Sequence, residues 1–182
     1  MAVSILLDPV ITQSCSAAMA IILAYGGLTK LRDLDVFADA VRQYDLVGVN
    51  GARIVTYALP VLECVVAVGM LFSESRLAAA WLALALLAGV TGAVIASLLH
   101  GNREIDCGCG GEGQRLSGWL VLRNCVLVGV ILIGASESSL RVLLWVDYVT
   151  TFATILSLVG LYTVANQLLT NAPRLAELRN PS

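Results

Sequence analysis

Cys107 and Cys109 stand one residue apart in the stretch DCGCGG, a short polar interruption in an otherwise apolar chain. Gly108, Gly110, Gly111 and Gly113 around them permit positive φ and tight backbone turns. A disulfide closed across one intervening residue squeezes the Cα–Cα separation and the dihedral about the S–S bond away from their preferred values. Strained disulfides are more oxidising and exchange easily, so this pair suits handing a disulfide on better than keeping one. Two other readings stay open. His100, Cys107 and Cys109, with Asp106 or Glu104, could offer metal ligands, although tetrahedral zinc sites usually draw on a second ligand pair and none is visible. The thiols can also be structural or incidental, since free cysteine behaves as a small hydrophobe.

The other three of the five cysteines fall inside apolar runs. At about 1.5 Å rise per residue, Cys15 and Cys64 are expected roughly 8 and 12 Å below one membrane surface, and Cys125 about 14 Å below the other. With Cys107 and Cys109 they could form a relay for reducing equivalents across the bilayer, or simply fill space as buried thiols. Glu63 carries a stronger signal. A carboxylate inside a membrane span is costly when charged and facing lipid, so it must face the bundle and find a partner. Arg123, beside Asn124, is the expected partner: Glu63 falls roughly 18 Å deep and Arg123 roughly 10 Å deep from one surface, a gap an arginine can bridge. Such a pair is either a polar clamp between helices or a proton-handling group beside Cys64.

The elements that must position these residues follow from composition. Of 182 residues, 58% are hydrophobic and 13% charged, against about 45–50% and 25% in soluble domains. Five runs, at about 10–28, 51–72, 77–99, 116–133 and 145–169, reach the roughly 20 residues a helix needs to cross a bilayer. Backbone groups in lipid must be satisfied within the segment, which makes all five α-helices of a single multi-pass membrane domain. Between the first two, Leu34, Phe37, Val41 and Tyr44 recur at helical spacing, as expected of a short amphipathic helix in the headgroup layer. Ala88, Gly92 and Ala96 form a small-residue stripe on which a neighbouring helix could pack. Pro60 should free the carbonyl of Thr56. Trp145 and Tyr148 open the last span at the level of an interfacial aromatic belt.

A net charge of -2 and no basic groove argue against a nucleic-acid partner. The N-terminal run lacks a basic leader and carries Asp8, so it is expected to be a span, not a removable signal. Lipidation at Cys15 is not expected either. Five spans put the termini on opposite sides. Arg76 and Arg141 lie on the side of the N-terminus, whereas Lys30, Arg32, Arg42, Arg103, Arg115, Arg174 and Arg179 lie on the other. The positive-inside rule then makes the N-terminus periplasmic and the Cys107–Cys109 loop cytoplasmic.

Three stretches together resemble the MauE family of methylamine utilisation proteins, within the wider DoxX-like group. They are DPVITQSCSAAMAIILAYGGLTKLRDLDVFADAVRQY, YALPVLECVVAVGMLF and DCGCGGEGQRLSGWLVLRN, covering most of residues 8–133. The loop departs from the family's frequent Cys-Gly-Cys-Phe-Gly, with Gly110 in place of the aromatic residue. The resemblance implies an accessory factor of the bacterial inner membrane. Its role would be maturation, processing or transport of the β subunit of methylamine dehydrogenase, assisting disulfide formation with a thioredoxin-like partner of the MauD type. It implies no resident cofactor; a quinone, as other DoxX-like relatives suggest, has no pattern in this sequence. A scaffold that only holds the β-subunit precursor is the non-catalytic alternative. Disulfide formation belongs on the periplasmic face, whereas the charge bias sets the cysteine loop on the other, and a relay through Cys15, Cys64 and Cys125 would reconcile the two.

Overall fold

The computed structural model describes residues 7–100, 118–139 and 141–179, with side chains described as far as residue 171. Cys107, Cys109 and the neighbouring Glu104 and Asp106 lie outside the described residues. The rest is helical: α1 Pro9–Arg32, α2 Leu34–Gln43, α3 Val49–Gly69, α4 Arg76–Leu99, α5 Gly118–Ala135 and α6 Trp145–Arg179. Among the described residues, five of these, all but α2, are long and apolar enough to cross a membrane. The protein is an all-α, multi-pass membrane protein.

Local chemistry sets the ends. Pro9 occupies the first turn of α1, and the Asp8 carboxylate caps it by accepting from the Val10 amide at 2.9 Å. Asp45, at φ 49°, turns the chain from α2 towards α3, a conformation Asp tolerates better than most residues. The N-terminal end of α1 is fastened to the α5–α6 connection. The Leu7 amide donates to the Glu137 carbonyl and the Leu7 carbonyl accepts from the Ser139 amide, and Arg141 bridges Asp8 and Asp147 at 2.9–3.1 Å.

Helix α1 is the central element, packed on α3, α5 and α6. Its buried Met19, Ala20 and Ile22 meet Val66, Ala67 and Met70 of α3, Ala79, Ala80 and Ala83 of α4, and Leu127 and Ile131 of α5. Its buried hydroxyls are satisfied, Thr12 and Ser14 within their own helix and Ser16 by donating to the Met70 carbonyl at 2.8 Å. The outward faces carry exposed Ile21, Leu62, Val65, Trp81, Leu122 and Phe152, which suits contact with lipid tails.

Backbones approach most closely elsewhere than the small-residue stripe predicts. A methyl group on Gly92 would have open space around it. One on Gly27 would sit 2.8 Å from the Pro60 carbonyl oxygen, and one on Gly134 would sit 3.0 Å from the Ser16 amide nitrogen. The glycines of α1 and α5, not those of α4, make the close crossings. Helix α2 exists as expected, but its apolar face turns onto the bundle: Phe37 is buried, and α2 packs against α3.

Candidate functional site

Helix α1 runs to Arg32, past the end expected at residue 28, and that extension makes the first polar group. Lys30, four residues beyond Gly26, turns inward and donates to both oxygens of Glu63, at 2.6 and 2.7 Å. Each residue is only 7% exposed. The approach rests on two glycines. Gly26 leaves room beside both charges, and Gly27 admits the Pro60 carbonyl and the Cys64 thiol against the α1 backbone. The Phe37 ring of α2 lies 5.7 Å from the Lys30 ammonium, within cation–π range.

The second group joins α4, α5 and α6. Arg123 Nη1 donates to Asn166 Oδ1 at 2.7 Å, while Nε and Nη2 reach Asn124 Oδ1 only at 3.4 and 3.3 Å. The Asn124 amide donates to Thr91 Oγ1 at 2.9 Å, and Thr91 in turn donates to the Leu87 carbonyl. The Tyr162 ring stands 5.7 Å from the guanidinium carbon. Both groups border one cavity of about 520 Å³, walled by residues of all six helices and otherwise mainly by Leu, Val, Ala and Gly. Phe37, Val41 and Tyr44 close it on the side of α2.

The expected Glu63–Arg123 ion pair is therefore not formed. Glu63 takes Lys30, and Arg123 takes two neutral amides. A first span ending near residue 28 puts Lys30 among the connecting residues, whereas α1 continues to Arg32 and carries it into the bundle. Depth counting also misled. It places every helix end in one plane, whereas the Ser16–Met70 hydrogen bond sets the end of α3 level with Ser16, seven residues or about 10 Å inside the start of α1.

The same stagger separates the thiols. Cys64 lies against Gly27, while Cys15 precedes it on α1 by twelve residues, about 18 Å of helix. A disulfide needs Cα atoms about 4.4–6.8 Å apart, so Cys15 and Cys64 cannot exchange directly. Cys15 is buried beneath Gly134 of α5, and Cys125 faces outward. His100, at the end of α4, gives its Nδ1 hydrogen to the Ala96 carbonyl, and among the described residues no three potential metal ligands converge. The segment that carries Cys107 and Cys109 joins the end of α4 to the start of α5.

Lys30, Thr91, Tyr162 and Asn166 were not singled out from sequence. A lysine three residues after the Gly26–Gly27 pair inside an apolar helix was the available signal for Lys30; the three α4 and α6 residues had none.

Comparison with known proteins adds the family. Residues 8–137 match the model of the family described as methylamine utilisation protein MauE. The methylamine utilization protein MauE of Paracoccus denitrificans is 35% identical over 129 residues, 70% of this chain and 69% of that protein. Its counterpart in Paracoccus versutus is 37% identical over 131 residues, 70% of each chain. That of Methylophilus methylotrophus is 32% identical over 130 residues, 69% of this chain and 67% of the relative. No solved structure matches. The matched range takes in Lys30, Glu63, Arg123 and the Cys107–Cys109 loop, leaving α6 outside it, and this chain belongs to the MauE family.

Proposed function

We propose that this protein serves methylamine utilisation as a membrane factor for maturation of the methylamine dehydrogenase β subunit. It works by thiol–disulfide exchange at Cys107 and Cys109 with a thioredoxin-like partner. The observation that carries the reading is the family match across residues 8–137, which spans the cysteine loop together with the helices that hold it. Exchange conserves disulfides: a thiolate attacks one sulfur of a disulfide, one S–S bond breaks as another forms, and the displaced thiolate takes up a proton. With Cys15 and Cys64 at different levels of the bundle, exchange takes place at the loop itself and not along a chain of intramembrane thiols. The buried Lys30–Glu63 pair and the Arg123 network then hold α1, α3, α4, α5 and α6 as the frame on which the loop is mounted.

The test replaces the resident factor of a methylamine-grown bacterium with this chain and with its Cys107→Ser, Cys109→Ser double variant. The variant should lose growth on methylamine, and β subunit with unpaired thiols should accumulate on thiol trapping. Normal growth and full pairing with the variant would replace exchange by a scaffold that only holds the precursor. Labelling of Cys107 and Cys109 with an impermeant maleimide, in intact cells and in inverted vesicles, assigns the loop to its face of the membrane.

A further inference from the structure

Among the described residues, the cavity between the helices carries one positive charge more than its lining cancels. Lys30 and Glu63 neutralise each other through two short hydrogen bonds. Arg123 is different: among the described residues it makes no ion pair, and its hydrogen-bond partners are neutral amide oxygens. A cation left in a largely apolar space inside a membrane bundle is costly. Its geometry also leaves one edge underused. Nη1 is anchored on Asn166 at 2.7 Å, whereas Nε and Nη2, the edge that grips a carboxylate or phosphate through two parallel bonds, are held at only 3.3–3.4 Å. The α4 wall of the same cavity lacks bulk. Gly89 and Gly92 line the cavity, and a methyl group on either would meet nothing within 4 Å. The volume of about 520 Å³ falls in the range of roughly 300–1,000 Å³ for small-molecule sites.

We propose that this cavity binds one membrane amphiphile with a singly anionic head, a carboxylate or a phosphate diester, paired with the Nε/Nη2 edge of Arg123, its hydrocarbon lying along Gly89 and Gly92 of α4. The excess positive charge selects against zwitterionic and neutral molecules, and the apolar walls select against small hydrophilic anions. Asn166 holds the guanidinium through Nη1 while the ligand takes the looser Nε and Nη2 bonds in place of Asn124 Oδ1. This site stands independently of the thiol chemistry.

The full chain, purified in mild detergent, is offered oleate, phosphatidylglycerol, phosphatidylcholine or a neutral prenyl quinone, and retention is read by native mass spectrometry. One oleate or one phosphatidylglycerol per chain is expected. Retention of the first identifies a free carboxylate and of the second a lipid phosphate. Arg123→Gln should weaken retention about ten-fold or more, since one charge-assisted contact is lost. Gly92→Leu keeps the arginine and fills the cavity, so it should abolish retention even where Arg123→Gln fails to fold. The proposal is overturned if the wild-type chain retains neither anion, if phosphatidylcholine or the quinone is held as well as the anions, or if Gly92→Leu retains the anion at wild-type strength.

Discussion

Two polar groups border the same cavity and solve the problem of charge in a membrane in opposite ways. Lys30 and Glu63 form a closed pair between α1 and α3, both residues 7% exposed and each charge cancelled by the other. Arg123, between α5 and α6, is half-buried and spends its donors on amides. The difference separates a fastening from a site. A closed pair resists substitution at either member because the survivor is left as a buried, unbalanced charge. An arginine held by neutral oxygens can be neutralised at less structural cost, because what remains behind is a pair of amides that can bond elsewhere.

The largest effect should come from breaking the closed pair on one side. Glu63→Ala is expected to destabilise the bundle by about 3–5 kcal/mol, the range for stranding one partner of a buried ion pair. Thermal unfolding in detergent, followed by circular dichroism, measures it. The double variant Lys30→Met, Glu63→Met removes both charges and should melt above either single variant. If the double variant loses as much as the two singles combined, the residues do not act as a pair.

Next in size is the crossing that brings that pair together. On Gly27 an added methyl would lie 2.8 Å from the Pro60 carbonyl oxygen and 2.7 Å from the Cys64 sulfur. A side chain can turn aside, but a backbone carbonyl on a packed helix cannot, so Gly27→Ala should cost about 1–3 kcal/mol through overpacking. Gly92→Ala, with open space around it, should leave the melting temperature unchanged or raise it slightly, as alanine favours the helix. Equal losses at the two glycines would mean that α1 and α3 do not cross where the structure sets them. Arg123→Gln comes below Glu63→Ala and Gly27→Ala, at about 1 kcal/mol or less, in line with interhelical hydrogen bonds inside membranes.

The architecture was legible because one physical constraint dominates it. A backbone in lipid must close its own hydrogen bonds, so run length and hydropathy convert directly into spanning helices. The amphipathic spacing of Leu34, Phe37, Val41 and Tyr44 gave α2, though not the surface it faces: the periodicity says that one side is apolar, not whether lipid or protein meets it. Glu63 was legible as a buried charge in need of a partner, and the partner was not. Partner choice depends on the stagger between helices, which is set by Gly27 against Pro60 and by Ser16 against Met70. Pairing and depth are properties of contacts between segments far apart in the chain, and run length carries no record of them. The four bonds of Arg123 and Asn124 illustrate the same limit, since Thr91 and Asn166 are ordinary residues until the fold sets them beside Asn124 and Arg123.

The smallest effect concerns the far end of the molecule, where charge meets water. Arg141 holds Asp8 by two hydrogen bonds of 3.1 Å. That bond, helped by the Val10 amide, keeps the Asp8 carboxyl below its ordinary value of 3.8, while the bonds to Asp147 and then to Asp8 raise Arg141. A carboxyl lowered on folding contributes stability that is complete above its unfolded value and is lost as pH falls through its folded one. The clasp between α1 and the α5–α6 connection is therefore expected to be unaffected between neutral pH and about pH 5, and to weaken only below about pH 4. Because the group is open to solvent, screening keeps the change small. Amide exchange at Leu7 and Ser139, whose backbone bonds lie beside the clasp, is a sharper readout than global melting. Exchange there should quicken on acidification in the wild-type chain, beyond the intrinsic pH dependence, and should already be quick at neutral pH in Asp8→Asn. Identical protection in the two chains at neutral pH would show that the backbone bridge holds this end without the ion pair.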